Sequence, residues 1–561
     1  MKLESYKYIY FVGVGGIGMS ALARYFNAKG MGVFGYDKAR SNLCKELELE
    51  GISIHYRVGV ENIPRQIRDS CCHEMLIIYT PAVSLDNVEL LFLKKKGCRL
   101  YKRAEVLGII SRQLFTIAVA GTHGKTTTST ILTHILKNSG KDATSFLGGI
   151  SKNYNSNLVL AEKEELLIVE ADEYDRSFLC LNPDIAIITS VDADHMDVYR
   201  TKDDLHQAFI QFASQIKQKG ILLVEKSISI DFPIPEKGRR LTYSATLEAD
   251  YFARNIRVNN GNMTFDLSLL DISEERLSVI NQTNVDFILP GEHNISNSVA
   301  AAGVCFCLGI SAKDISEGIT TFRGIKRRFE VLINNKDLVF VDDYAHHPKE
   351  IISTIKAAKK FFPDRAITVV FQPHLYSRTR DFINEFADSL SLADQLILLD
   401  IYPAREDPIT GVKSQVLLDL CTSPKKETCS REELLKILEG ENLDILLVLG
   451  AGDIGDYFPD SDSANKDLDS RIIVELSVKK SLDAGFLLNN LDIALMLEKP
   501  KISTYKSQMK KNICDIFNEL SSDKYVDNSM INIKASTSES LGYIGRGEGV
   551  TCYCIASLST I

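Results

Sequence analysis

The chain has 561 residues, of which 45% are hydrophobic and 25% charged, and a formal net charge of -9. These are ordinary globular values, with apolar material for several domain cores. The absence of any basic tract or Lys/Arg stripe argues against a nucleic-acid partner, and no apolar run reaches transmembrane length, so no membrane insertion is expected.

In chain order, the first hundred residues read as strand, glycine turn, helix, strand. Tyr8 to Val14 is an apolar strand, Gly18 to Ala28 reads as helix, and Gly32 to Tyr36 is a second strand ending at Asp37. Short βα repeats continue to about Lys102. The stretch Ile9–Gly18 is too glycine-rich for a signal peptide, so a cytoplasmic location is expected. The twelve cysteines show no metal-ligand spacing and are read as reduced, mostly packed thiols.

A second α/β region opens with the buried strand Leu114–Ala120, which runs into Gly121-Thr122-His123-Gly124-Lys125-Thr126-Thr127-Thr128 and a helix from about Thr126. Leu166–Val169 and Ile185–Ile188 are further buried strands, ending at Glu170 and near Asp192. A third region begins near Gly324, with strands Leu338–Val341, Ile367–Phe371, Gln395–Leu399 and Ile445–Leu449. After Gly450-Ala451-Gly452 a loop stands where a doubly wound domain would close with a helix. Residues beyond it read as a separate unit.

Parallel sheets place ligands at the carboxyl ends of their strands. Gly124-Lys125-Thr126 at a strand-to-helix turn has the second half of a phosphate loop. Backbone N–H groups face phosphate there, Lys125 can reach the β- and γ-phosphates, and Thr126 can ligate Mg²⁺. Val119 stands in place of the first glycine of that pattern. Glu170, closing a buried strand, needs a partner, either a metal or an ordinary salt bridge. His195 is by itself either a ligand or a structural histidine.

The Gly13–Gly18 loop contains G-x-G-x-x-G, with Asp37 about twenty residues on. Physically this means a pyrophosphate at a helix N-terminus, from NAD in an oxidoreductase or from UDP. Arg327-Arg328 precede Phe329-Glu330, Asp343 and His346-His347 lie just beyond the next strand, and Arg378 and Arg380 follow the strand Ile367–Phe371. These arginines fit bidentate carboxylate or phosphate binding, or are solvated.

Taken together, these residues resemble the Mur ligase family, from about residue 7 to 455. The motifs are Gly13–Met19, Gly121–Thr128, Glu170–Asp175, Asp194–Asp197, His293–Asn297, Arg327–Phe329, Asp342–Pro348 and Gln372–Arg380. The resemblance implies an α/β fold of three domains: a Rossmann-like UDP domain (1–104), a P-loop-like ATP domain (105–322) and a Rossmann-like C-terminal domain (323–455), followed by an α+β tail (456–561).

It further implies, most specifically, ATP-dependent joining of L-alanine to UDP-N-acetylmuramate through an acyl phosphate, with a preformed peptide as the rival acceptor. By position, Gly15, Gly16, Ile17, Gly18 and Asp37 bind the UDP substrate. Gly121, Thr122, His123, Gly124, Lys125, Thr126, Thr127, Asn294, Asn297, Arg328 and Asp343 bind ATP. Thr126, Glu170 and His195 hold Mg²⁺ or Mn²⁺, and His346, His374 and Arg378 line the amino-acid side. Two positions depart from the family: Ser190 replaces an asparagine, and Leu375 stands where many members have arginine.

The tail resembles a second family, the 2-C-methyl-D-erythritol 2,4-cyclodiphosphate synthases, in Gly452–Asp462, Lys534–Glu539 and Leu541–Gly549. That family's nucleotide pocket falls on Pro500, Lys501, Ala535, Ser536 and Thr537, with Glu539 near a second metal. Its zinc-binding Asp-x-His has no counterpart before Asp453, so no intact Zn site and no independent cyclase activity are expected. A bifunctional fusion is the alternative, as is docking of the tail with a trimeric synthase. The amphipathic stretch Ser470–Ala484 is expected to cover the sheet face left by the missing closing helix.

Overall fold

Five short strands, β1 (Tyr8–Val12), β2 (Gly32–Tyr36), β3 (Ser53–His55), β4 (Met75–Tyr79) and β5 (Leu100–Lys102), form an all-parallel sheet in the order β3-β2-β1-β4-β5. The order reverses between β1 and β4, which opens a crevice at their carboxyl ends. Helix α1 (Ile17–Ala28) starts at that edge. These coordinates are a computed structural model. It describes residues 3–192, 198–199, 201–259, 262–271, 278–404, 406–439, 441, 443–457, 478, 482, 486–496, 505–520, 526–536 and 551–560. Two units are distinguished, Met1–Tyr457 and Phe458–Ile561.

The central sheet has ten strands: β6 (Phe115–Ala120), β7 (Thr144–Ser151), β8 (Ser156–Val159), β9 (Leu166–Ala171), β10 (Ile185–Ile188), β11 (Ile221–Glu225), β12 (Arg239–Ser244), β13 (Tyr251–Asn259), β14 (Asn262–Asp271) and β15 (Ser278–Phe287). β6 lies between β10 and β9, parallel to both. Its residues Ile117–Ala120 are fully buried, as befits a strand covered on both faces. Helices α2 (Lys125–Asn138) and α3 (Glu292–Cys307) pack together over one face.

The third sheet contains β16 (Glu330–Asn334), β17 (Val339–Asp343), β18 (Ile367–Phe371), β19 (Gln395–Leu398), β20 (Lys425–Thr428) and β21 (Ile445–Leu449), in the order β16-β17-β21-β18-β19-β20. β21, the last in sequence, is central and parallel to β17 and β18. Helix α4 (Pro348–Phe361) follows β17. After β21 the chain makes a 3-10 turn, Asp453–Tyr457. Gln372 holds this turn through Asp453 at 2.8 Å and the Ile454 N–H at 3.1 Å.

Within the second unit, β22 (Phe486–Met496) lies between β23 (Ile531–Ser536) and β24 (Thr551–Thr560). Helix α5 (Lys506–Leu520) covers one face, and Leu491, Ile493, Ile513, Ile531 and Ile533 share a small core. Ser470–Ala484 lies outside the described residues apart from Val478 and Leu482. Among the described residues, no helix is long and apolar enough to cross a membrane.

One expectation is corrected. Cys72 and Cys98 form a disulfide, with Cα atoms 4.9 Å apart, and so are not separate reduced thiols. The reason is topological. Each cysteine sits just before one of the adjacent parallel strands β4 and β5, and pairing those strands brings their amino ends together. Spacing along the chain does not reveal this. Cys44, Cys305, Cys421, Cys429 and Cys514 are free and buried.

A buried polar knot is among the contacts that join the first and central sheets. Asn157 on β8 donates to Ile17 O at 2.6 Å and Ser20 Oγ at 2.9 Å, and accepts from Arg24 Nη1 at 2.5 Å. Arg24 also pairs with Glu46 and Glu50. Asn157→Ala removes these three hydrogen bonds, at a cost of about 1–3 kcal/mol. The expected result is a thermal midpoint lowered by a few degrees; an unmoved midpoint would show that this knot adds nothing measurable to the stability of the joined sheets.

Candidate active site

The site begins where β6 ends. Gly121 and Gly124 have φ of 141° and 84°, and Gly124 is the N-cap of α2. At Gly124 a Cβ would meet Asn297 Oδ1 at 2.5 Å, so backbone conformation and space both demand glycine there. The loop is closed from β10. Ser190 Oγ accepts from the His123 N–H at 2.8 Å and lies 2.9 Å from Thr122 Oγ1. The serine that departs from the family pattern thus anchors the loop. Asn297 accepts from Thr128 at 3.2 Å and Asn294 donates to Pro290 O at 2.7 Å; both are buried beside the loop on α3.

Lys125 points its ammonium at Glu173 Oε2 (2.7 Å) and Gly121 O (2.6 Å). Burial opposes its charge, yet Glu173, with Asp172 and Glu170, raises its pKa. Glu173 is fully buried. It was not singled out from the sequence, because only the fold shows which of the acids after β9 faces Lys125.

Glu170 sits at the end of β9, paired in register with Val119 of β6. It accepts from Gly148 N (2.5 Å), Thr126 Oγ1 and Ser129 Oγ (both 3.2 Å), and burial pushes its pKa up. The Thr126 hydroxyl and the Glu170 carboxylate therefore converge as hard oxygen donors of the kind Mg²⁺ or Mn²⁺ accepts. His195, the third expected ligand, lies outside the described residues. So do Pro500, Lys501, Thr537 and Glu539 of the expected tail pocket, while Ala535 and Ser536 are described only as strand β23.

In the first sheet, the Gly15 N–H donates to Asp37 Oδ2 at 2.7 Å, which links the loop before α1 to the end of β2. Gly16 caps α1 and Ile17 and Gly18 begin it. Arg103, missed from the sequence, lies close over Gly18: a Cβ there would meet its Nη1 at 1.9 Å.

In the third sheet, Asp343 accepts from Phe329 N (3.1 Å), Ala345 N (2.9 Å) and Thr354 Oγ1 (3.1 Å). Burial, opposed by Arg328, pushes its pKa up to about 6. Its oxygens thus organise the loop that carries His346. The His346 and His374 rings are 5.9 Å apart, and His374 stacks on Tyr402 at 5.7 Å. Leu375, in the arginine position, has φ of 72°.

Glu350 on α4 is a third residue that sequence reasoning missed. Its side chain faces His123 Nδ1 (3.3 Å), His346 Nδ1 (3.3 Å) and Arg328 Nη1 (3.9 Å). Burial opposes the charge, but His346, His123 and Arg328 hold its pKa well below the usual range. The available signal was the pattern His347-Pro348-Lys349-Glu350, with proline at N1 and glutamate at N3 of a helix.

Two cavities among the described residues hold most of these side chains. One, of about 480 Å³, is lined by Gly124, Asn294, Asn297, Arg328 and Asp343 among others. The other, of about 580 Å³, brings together Gly18 and Arg103, Lys125 and Glu170, and His346, His374 and Arg378, from all three sheets. Some of the expected residues of three separate regions therefore line one cleft, while Gly124, Asn294, Asn297 and Asp343 line the other cavity.

Comparison with known proteins follows the same divisions. Residues 8–114 match the Mur ligase family catalytic domain, 119–305 the Mur ligase middle domain and 327–452 the Mur ligase glutamate ligase domain. Residues 444–559 match the YgbB family. The UDP-N-acetylmuramate–L-alanine ligase of Parabacteroides distasonis is 45% identical over 454 residues, 81% of this chain and 96% of that protein. The enzyme of the same name from Cytophaga hutchinsonii is 43% identical over 460 residues, 81% and 96% of the two chains. Among solved structures, the UDP-N-acetylmuramate–alanine ligase of Thermotoga maritima superposes with a TM-score of 0.67 at 25% identity, over 82% of this chain and 99% of that one. A murein peptide ligase from Psychrobacter arcticus shares the fold, with a TM-score of 0.60 at 22% identity over 82% and 99% of the two chains.

The placement of Glu170 depends on Gly148. A Cβ at residue 148 would lie 2.3 Å from Glu170 Oε2. Gly148→Ala is expected to push the carboxylate away from Thr126 and Ser129, with a loss of about 1–3 kcal/mol of stability. A crystal structure of the variant with Glu170 unmoved would contradict this.

Proposed function

The chain belongs to the Mur ligase family, in the branch of the UDP-N-acetylmuramate–L-alanine ligases, and from that premise we infer how its residues divide the reaction. It joins L-alanine to UDP-N-acetylmuramate at the expense of ATP, in peptidoglycan precursor synthesis. The observation that supports the residue roles is the convergence of all three carboxyl edges on one cleft.

The Gly15–Gly18 loop, with the N-terminus of α1, receives the diphosphate of UDP, and Asp37 holds that loop in shape. This assigns the first glycine motif to UDP instead of NAD. The Gly121–Thr127 loop takes the triphosphate of ATP, with Asn294 and Asn297 on the adenine side and Arg328 and Asp343 closing from the third domain. Lys125 meets the terminal phosphates; Glu173 keeps its ammonium charged and aimed along the loop until then. Thr126 and Glu170 are oxygen donors suited to Mg²⁺ or Mn²⁺, with His195 as the further ligand. When bound, such a cation neutralises charge on the transferred phosphoryl group.

The lactyl carboxylate of UDP-N-acetylmuramate becomes an acyl phosphate, and the amine of L-alanine displaces phosphate from it. Arg378 can hold the alanine carboxylate bidentately, with His346 and His374 beside it. These residues supply position and charge, which is what phosphoryl and acyl transfer require. The activated sugar nucleotide and ATP are cytosolic solutes, and we place the reaction in the cytoplasm.

The full chain should release ADP only when UDP-N-acetylmuramate, L-alanine and a divalent cation are all supplied, and EDTA should abolish the release. Lys125→Ala is expected to lower kcat/KM at least about a hundredfold. ATP binding without any amino-acid-dependent ADP would sink the ligase assignment.

A second reading concerns the tail, whose YgbB match supports a fusion. The chain has ten histidines, the last of them His374, so the tail supplies no imidazole for a metal. We therefore propose that it has no independent cyclase activity. Purified protein should leave the cytidyl diphosphate substrate of that family unchanged; formation of cyclic diphosphate would overturn the proposal.

A further inference from the structure

Among the described residues, Arg328 and Glu350 line both the nucleotide-side cavity and the acceptor-side cleft. Glu350 divides its two oxygens between them. Oε1 faces His123 of the phosphate loop at 3.3 Å and Arg328 at 3.9 Å. Oε2 faces His346 Nδ1 at 3.3 Å and accepts from the backbone N–H groups of His346 and His347 at 3.1 and 3.3 Å. One carboxylate thus touches the loop that holds ATP and the loop that carries the acceptor-side histidine.

The bland account is a helix cap, since Glu350 is N3 of a capping box opened by His347. A cap of this kind is worth about 1 kcal/mol and needs one oxygen. It does not explain a side chain 18% exposed whose second oxygen turns to the neighbouring domain. Burying that charge is costly unless its partners offset it, and two of its three partners, His123 and His346, come from different domains. Lys349, one residue earlier, pairs with Asp192 beyond β10 and braces the same junction.

We propose that Glu350 is a positioning residue for the ligation: it fastens the phosphate loop of the central domain to the acceptor loop of the third, so that acyl donor and amine are aligned together. This rests on the ligase assignment above. The carboxylate need not touch either substrate. Its role is to make the position of His346 depend on that of His123, and thereby to couple the two cavities.

The test is steady-state ADP release by the full chain, with wild type measured alongside. A wild type with no amino-acid-dependent ADP would fail the ligase assignment; an active wild type isolates the role of Glu350. Glu350→Gln keeps an amide oxygen for the helix cap but removes the charge. It is expected to lower kcat at least about tenfold, with KM for ATP changed less than about threefold and the thermal midpoint within about 3 °C. His123→Gln leaves the cap untouched and should reproduce the loss of kcat, and the double variant should be no worse than either single one. A kcat within about twofold of wild type in either variant, or losses that multiply in the double variant, would overturn the proposal. Should Glu350→Gln prove unstable, His123→Gln decides on the same criterion.

Discussion

A helix that starts straight from a buried parallel strand opens with backbone N–H groups that have no partner within the helix. Much of the site follows from where this chain leaves those groups. The Gly121–Thr128 loop turns from β6 into α2 with Gly124 left-handed, and so aims the helix start along the carboxyl edge of the sheet. Because β6 lies between β9 and β10, whatever those strands carry at their ends must stand beside the loop. β9 delivers Glu170 and, just beyond, Glu173; β10 delivers Ser190. The acids also compensate Lys125, which would otherwise be a buried cation with carbonyl oxygens alone for company.

The third sheet repeats the device with a different emphasis. The ends of β17, β21 and β18 are adjacent, so the loops after Asp343, Leu449 and Phe371 form one rim. Asp343 is occupied with its own loop, holding three donors within it and beside it. The glutamate seven residues later looks outward to the central domain. Two acids close in sequence thus serve different distances, one shaping the rim and the other tying it to its neighbour.

The strands and their terminal loops were legible because buried parallel strands are continuous apolar runs: Gly32–Tyr36, Ile185–Ile188, Ile367–Phe371 and Ile445–Leu449 are strands over the ranges read from the sequence. The residues named at strand ends follow from the same logic. Glu173 and Glu350 did not, since an acid's partner is set by which loops face each other and that is a property of the assembled sheets. Arg103 escaped for a related reason, being a helix-start arginine until α1 is placed beneath it. The Cys72–Cys98 link arises from strand pairing, which is invisible to cysteine spacing. Ser190 shows the reverse case, a visible departure whose hydroxyl still anchors the Gly121–Thr128 loop.

The strand β21 has a bearing on how this chain can be taken apart. Two family matches overlap on residues 444–452, yet the fold gives Ile445–Leu449 wholly to the ligase, as the keystone between β17 and β18. Any severing made where the second match begins would pull that keystone and split the third sheet into two halves, each with an unpaired edge. The two units part after Tyr457, once Gln372 has clasped the turn that follows the strand. The stretch that the two families share is, in the architecture, owned by one side alone.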